Sequence, residues 1–160
     1  STPTPEEGDQ DAPTEASLFS QQFHPCEAFT EEQLQKAGLG KQSNAAENPE
    51  SVVRSCGFGV VDGAEQRGAY LVATDRLGRQ QVNQLELKPT DWASAAVDGI
   101  YVHSKANESA DCIAAYDFEW GRFMVHYGAF GYEGKSHDLC DRPVDVLESL
   151  ILQAGGIHGT

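Results

Sequence analysis

Basic residues are scarce in this chain. Eleven Lys and Arg stand against 25 Asp and Glu, a formal net charge of −14 over 160 residues. That shortage argues against binding a phosphate backbone, whose affinity comes from Lys and Arg neutralising phosphates. It argues equally against electrostatic docking on anionic lipid, which takes basic clusters. A cationic partner is permitted, although acidic surfaces mostly serve solubility. Long apolar runs are missing too: nothing approaches the ~18 residues that a bilayer span requires. No leader peptide begins the chain; if the protein is exported, this is expected to be a mature form whose leader has gone. Nucleophile-elbow, zinc-protease and phosphate-loop signatures are absent. No Cys-x-x-Cys is present to poise a reactive thiolate. The expectation is a protein with no catalytic residues, no cofactor, no metal and no nucleic-acid partner.

What the chain does have is four cysteines, Cys26, Cys56, Cys112 and Cys140. Structural zinc usually takes its ligands in closely spaced pairs, and these four are widely separated. Disulfides are the better reading, and they persist outside the reducing cytosol. Four cysteines admit three pairings. Sequence order and the elements they would join favour Cys26–Cys56 and Cys112–Cys140. Closing loops of that size stabilises a fold by on the order of 3–4 kcal/mol each in the chain-entropy model.

The length fits one domain. Residues 1–22 are rich in Pro, Thr and Glu and carry five of the acids and none of the bases. Such a segment cannot bury enough apolar surface to offset its ordering entropy. It reads as a disordered tether, spanning roughly 25 Å as a flexible chain. Residues 23–160 read as a single domain, with Leu18, Phe19 and Phe23 able to dock the tail's end onto it.

Within the domain, Thr30 and Gln33 form a capping-box pattern that opens a short helix. Leu34 and Ala37 give it an apolar face, and Gly38 ends it. Residues 41–50 read as a polar loop. Alternating or apolar segments predict strands over 52–61, 68–74, 99–104, 111–118 and 122–127. Asp62-Gly63 opens the first turn, and Glu119-Trp120-Gly121 makes a tight connection. Residues 79–88 fit no single period, and 89–92 read as a loop or a helix start. Residues 128–137 are a Gly-rich loop. A final helix covers about 141–154, with Pro143 in its first turn and a stripe of Val144, Leu147, Leu150, Ile151 and Ala154. The fold class is α+β: an antiparallel sheet of about five strands, with the N-terminal and C-terminal helices on one face.

Chemistry-bearing residues are sparse. His103 and His126 lie on predicted strands from which they can approach one another across the sheet; His24, His137 and His158 are scattered. A strand histidine is more often half-buried structure than a ligand. Asn107-Glu108-Ser109 matches a glycosylation acceptor, a short and frequent pattern. Trp92, Trp120, Phe130 and Tyr132, with Tyr101, are candidates for an exposed partner surface.

The segment His24-Pro25-Cys26-Glu27-Ala28-Phe29-Thr30, followed by Leu34, Ala37-Gly38-Leu39 and Ser55-Cys56-Gly57-Phe58, resembles the opening of a family of small actinobacterial envelope lipoproteins of unknown function. Cys112 on a strand and Cys140 before an amphipathic helix are also similar. The resemblance covers about residues 24–153. Phe58 stands near the cysteine where that family often has a Trp. The resemblance implies a lipidated cysteine ahead of the tail, which would anchor the domain to the membrane on the extracytoplasmic, periplasmic side. It also implies a non-catalytic role. Similar lipoproteins accompany membrane protein complexes of the cell envelope, including the respiratory cytochrome bc–oxidase supercomplex. The expected function is therefore an accessory or scaffolding protein. The alternative is a periplasmic binding module for a lipid or a small envelope metabolite, which predicts an apolar pocket of roughly several hundred Å³ between sheet and helix.

Overall fold

A computed structural model describes residues 18–43, 52–60, 68–77, 87–90, 97, 99–105, 111–129 and 139–155. The chain is α+β, and its centre is one seven-stranded antiparallel sheet. The strands are β1 (Leu39–Ser43), β2 (Arg54–Val60), β3 (Gly68–Asp75), β4 (Leu87–Thr90), β5 (Tyr101–Lys105), β6 (Asp111–Phe118) and β7 (Gly121–Ala129). They lie in the order β1-β2-β3-β7-β6-β5-β4. Two meanders, β1–β3 and β4–β7, are thus joined side by side along β3 and β7. Short connections between consecutive strands favour this antiparallel arrangement.

Three helices complete the described fold: α1 (Pro25–Ala28), α2 (Glu31–Lys36) and α3 (Asp141–Gln153). The capping box at α2 forms as expected. Thr30 Oγ1 accepts from Gln33 N at 3.1 Å, and Gln33 Oε1 accepts from Thr30 N at 2.8 Å. Gly38 ends the helix with φ +106°, a left-handed conformation that a Cβ disfavours.

The two sheet faces differ in chemistry because strand side chains alternate. One row on the helix-covered face runs Cys56–Val72–Val125–Ala114–Val102 across five strands in register. The next runs Phe58–Tyr70–Tyr127–Cys112. All of these are buried. The α3 stripe of Val144, Leu147, Leu150 and Ile151 closes over them, the last three with no exposed surface. Each such aliphatic side chain contributes about 1.5–3 kcal/mol by leaving water. Gln153 Nε2 donates to Gln33 O at 2.9 Å, tying α3 to α2. The helices therefore share one face, as the stripe on α3 requires.

Three features depart from the sequence expectation. The sheet has seven strands rather than about five, because two short edge strands carry little pattern. β1 falls where a polar loop was expected; only Leu39 is buried and Lys41, Gln42 and Ser43 are exposed. β4 takes only the end of the irregular segment, Leu87 and Lys88, and continues through Pro89 and Thr90, where a loop or a helix start was expected; an edge strand is where a sheet tolerates proline. Helix α1 is the third addition: His24 caps it and Pro25 occupies its first turn, where a missing N–H costs nothing. The tail through residue 17, the Asp62-Gly63 turn, Asn107, His137, His158 and the Gly-rich loop from residue 130 lie outside the described residues.

Candidate functional site

Two disulfides join the helices to the sheet. Cys26 at α1 bonds Cys56 on β2, and Cys112 on β6 bonds Cys140 at the start of α3. Both pairings are the ones that sequence order favours. Their surroundings differ. Cys112 and Cys140 are 0% and 1% exposed, between the sheet and α3. Cys56 is 7% exposed and Cys26 is half-buried.

The Cys26–Cys56 bond lies beside a strap formed by residues 18–24. Phe19 stacks on Phe118 with ring centroids 5.2 Å apart, and Phe23 meets Phe123 edge-on at 5.1 Å. Trp120 lies parallel to Phe118 at 5.2 Å and donates its Nε1–H to Phe19 O at 3.0 Å. Gln22 Nε2 donates to Val52 O at 2.7 Å, Thr74 Oγ1 donates to Phe23 O at 2.6 Å, and Arg76 Nε donates to Gln22 Oε1 at 3.0 Å. Phe19 is buried in the core, with Leu18 and Phe23 packed against it, so the end of the tail docks on the domain through the residues expected to do so.

Among the proposed partner-surface aromatics, Trp120 is half-buried and engaged with this strap, while Trp92, Phe130 and Tyr132 lie outside the described residues. Tyr101 is half-buried and donates its hydroxyl to Asp117 Oδ1 at 2.7 Å.

The opposite sheet face carries a polar cluster that the sequence does not announce. Arg122 and Asp75 are paired across β7 and β3, with Nε 3.1 Å and Nη2 3.1 Å from Asp75 Oδ2. Both are buried, so each charge answers the desolvation of the other. Arg122 Nη1 also reaches His103 Nε2 at 3.3 Å. A guanidinium only donates, so Nε2 accepts and the imidazole proton sits on Nδ1. Burial, and secondly the Arg122 charge, lower the His103 pKa to about 4. The ring is therefore neutral at ordinary pH and is 2% exposed. It is a weak base without an open approach for substrate. His126 Nε2 lies 2.8 Å from Asp111 Oδ2. His103 and His126 do share a row, but Ile113 on the intervening strand separates them. Two strand spacings put their backbones about 10 Å apart, so they do not converge as ligands. Sequence gives this cluster little signal, because Asp75 and Arg122 stand at strand ends, where charged residues are ordinary.

The chain matches the family model described as "Protein of unknown function (DUF3558)" over residues 1–152. It belongs to this family. No curated protein and no solved structure matches it. In this DUF3558 chain the match runs through the tail as well as the disulfide-bonded fold. Two clefts of about 520 Å³ each flank the N-terminal helices. One is lined by Glu31, Leu34, Gln35, Leu39, Lys41 and Phe58, between α2 and the edge strand β1. The other is lined by Gln22, His24, Glu27, Arg54 and Arg76, beside the strap. No described helix is long and apolar enough to cross a membrane.

Proposed function

We propose that this chain is a non-catalytic accessory or scaffolding protein of a membrane complex in the cell envelope. In this reading a lipid anchor ahead of the tail holds it on the extracytoplasmic face of the plasma membrane. The observation that carries the reading is the pair of disulfides, since such bonds form and persist in oxidising compartments. The acidic Pro/Thr/Glu-rich tail supplies a spacer between anchor and domain. The small actinobacterial envelope lipoproteins are the proposed relatives within the family, and the respiratory cytochrome bc–oxidase supercomplex is the named candidate for the complex. The binding-module alternative needs space between sheet and helix. Under α3, Val72, Val125, Leu147, Leu150 and Ile151 fill that layer with no exposed surface, and the cleft between α2 and β1 sets Glu31, Gln35 and Lys41 beside Leu34, Leu39 and Phe58 rather than offering an apolar pocket, so the accessory reading is preferred.

Mild detergent extraction of native membranes, followed by capture of the full-length protein, tests the proposal. Integral membrane subunits at a fixed ratio support it. A lone monomer in the same extract contradicts it. Native mass spectrometry of the captured material distinguishes the alternative, which requires a bound small molecule.

A further inference from the structure

His24, Cys26 and Cys56 place three metal-ligating atoms within 4.8 Å of one another. With the disulfide closed, the sulfurs have no thiolate to offer. Reduction changes that: two thiolates and one imidazole nitrogen make a donor set suited to zinc and other soft ions. We propose that Cys26–Cys56 is an exchangeable disulfide whose reduced form, together with His24, binds one zinc ion.

The geometry allows this without moving the fold. Tetrahedral zinc with Zn–S near 2.3 Å sets its sulfurs about 3.8 Å apart, and the cysteine Cα atoms are 6.2 Å apart. Each ligand is held by contacts other than the disulfide. Cys56 is registered opposite Val72 in the sheet. The segment carrying His24 and Cys26 is held by the hydrogen bonds of Phe19, Gln22 and Phe23 described above. His24 Nδ1 accepts from Cys26 N at 3.2 Å. It therefore carries the lone pair on the cysteine side, and coordination replaces that capping bond. The adjoining cleft, lined also by Glu27, Arg54 and Arg76, admits the water that completes the zinc's coordination.

Access separates this disulfide from the other. Exchange requires a thiolate to reach a sulfur atom, which half-buried Cys26 permits and sealed Cys112 and Cys140 do not. The co-reactant is a dithiol. Its thiolate attacks Cys26 Sγ, Cys56 leaves as thiolate, and the donor's second thiol resolves the mixed disulfide. The donor is oxidised to its own disulfide, and the domain gains two electrons and two protons. Zinc binding then releases those protons.

The test treats the folded full chain with graded dithiothreitol, removes the reagent without oxygen, and titrates zinc. Alkylation and intact mass should find Cys26 and Cys56 reduced while Cys112–Cys140 stays closed. Native mass spectrometry should find one zinc per reduced chain and none per oxidised chain. His24→Ala should weaken zinc binding by about tenfold or more, and His126→Ala should leave it unchanged. Circular dichroism keeps the test decisive if reduction loosens the fold. Zinc taken up only by an unfolded chain, simultaneous reduction of both disulfides, or equal affinity in His24→Ala would each overturn the proposal.

Discussion

The two disulfides close loops of nearly equal length, with sequence separations of 28 and 30, yet they occupy different physical settings. Cys112–Cys140 lies between the sheet and α3, surrounded by side chains that are themselves fully buried. Cys26–Cys56 lies at the margin, against a four-residue helix and a strap held by aromatic contacts and side-chain hydrogen bonds. Loop-closure entropy is therefore nearly the same for both, and the difference between them measures packing and access. One bond is part of the core, and the other fastens the N-terminal segment to it.

The largest expected effect comes from deleting each bond separately. The double substitution Cys112→Ala with Cys140→Ala should cost about 3–5 kcal/mol, the upper part of the usual range, because a cavity in the core accompanies the lost link. Cys26→Ala with Cys56→Ala should cost about 2–3 kcal/mol. Denaturant unfolding of the two variants measures the gap directly. Equal losses would break the comparison.

Acid sharpens it from the other side of the sheet. The folded pKa of His103 is lowered to about 4 from its ordinary 6.5. Between those values the unfolded chain holds a proton that the folded chain does not. Stability from this residue is thus fully present above about pH 6.5 and falls as pH drops toward 4, by on the order of 2–3 kcal/mol. His103→Gln should flatten that slope in urea titrations across this window. The sealed disulfide should stay resistant to reductant through the same range above pH 4.

A smaller effect is expected at the strap. Trp120→Ala removes the stack on Phe118 and the bond to Phe19 O. It should cost about 1–2 kcal/mol. It should also speed reduction of Cys26–Cys56 while leaving Cys112–Cys140 unaffected. Alkylation time courses on the folded protein report both rates.

Legibility in the sequence followed periodicity. The α3 stripe repeats cleanly and β7 alternates from Phe123 to Ala129, while β3 and β6 read as strands through runs that are buried on both faces, Val72–Asp75 and Asp111–Ala115. The capping box at Thr30 and Gln33 is local chemistry and forms as its residues imply. Edge strands β1 and β4 escape such reading. β1 buries only Leu39, and β4 contains Pro89, so neither carries the alternation that a half-buried strand shows. Helix α1 is too short for a period, and its signal is only His24-Pro25. The Arg122–Asp75–His103 cluster is non-local: its members come from β7, β3 and β5, and no spacing within one segment relates them. Trp120 is ambiguous from sequence, because an aromatic in a tight turn can face a partner or its own chain. Here its indole N–H binds the strap.

The account rests on both disulfides being formed where the protein works. The direct measurement is a thiol-trapping experiment on the native source: rapid acid quench, alkylation under denaturing conditions, and intact mass of the full-length protein. No alkylation of Cys112 or Cys140, with Cys26 and Cys56 oxidised in most molecules, is the predicted result. Four alkylated cysteines in freshly trapped protein would contradict the disulfide-stapled fold and the extracytoplasmic placement together.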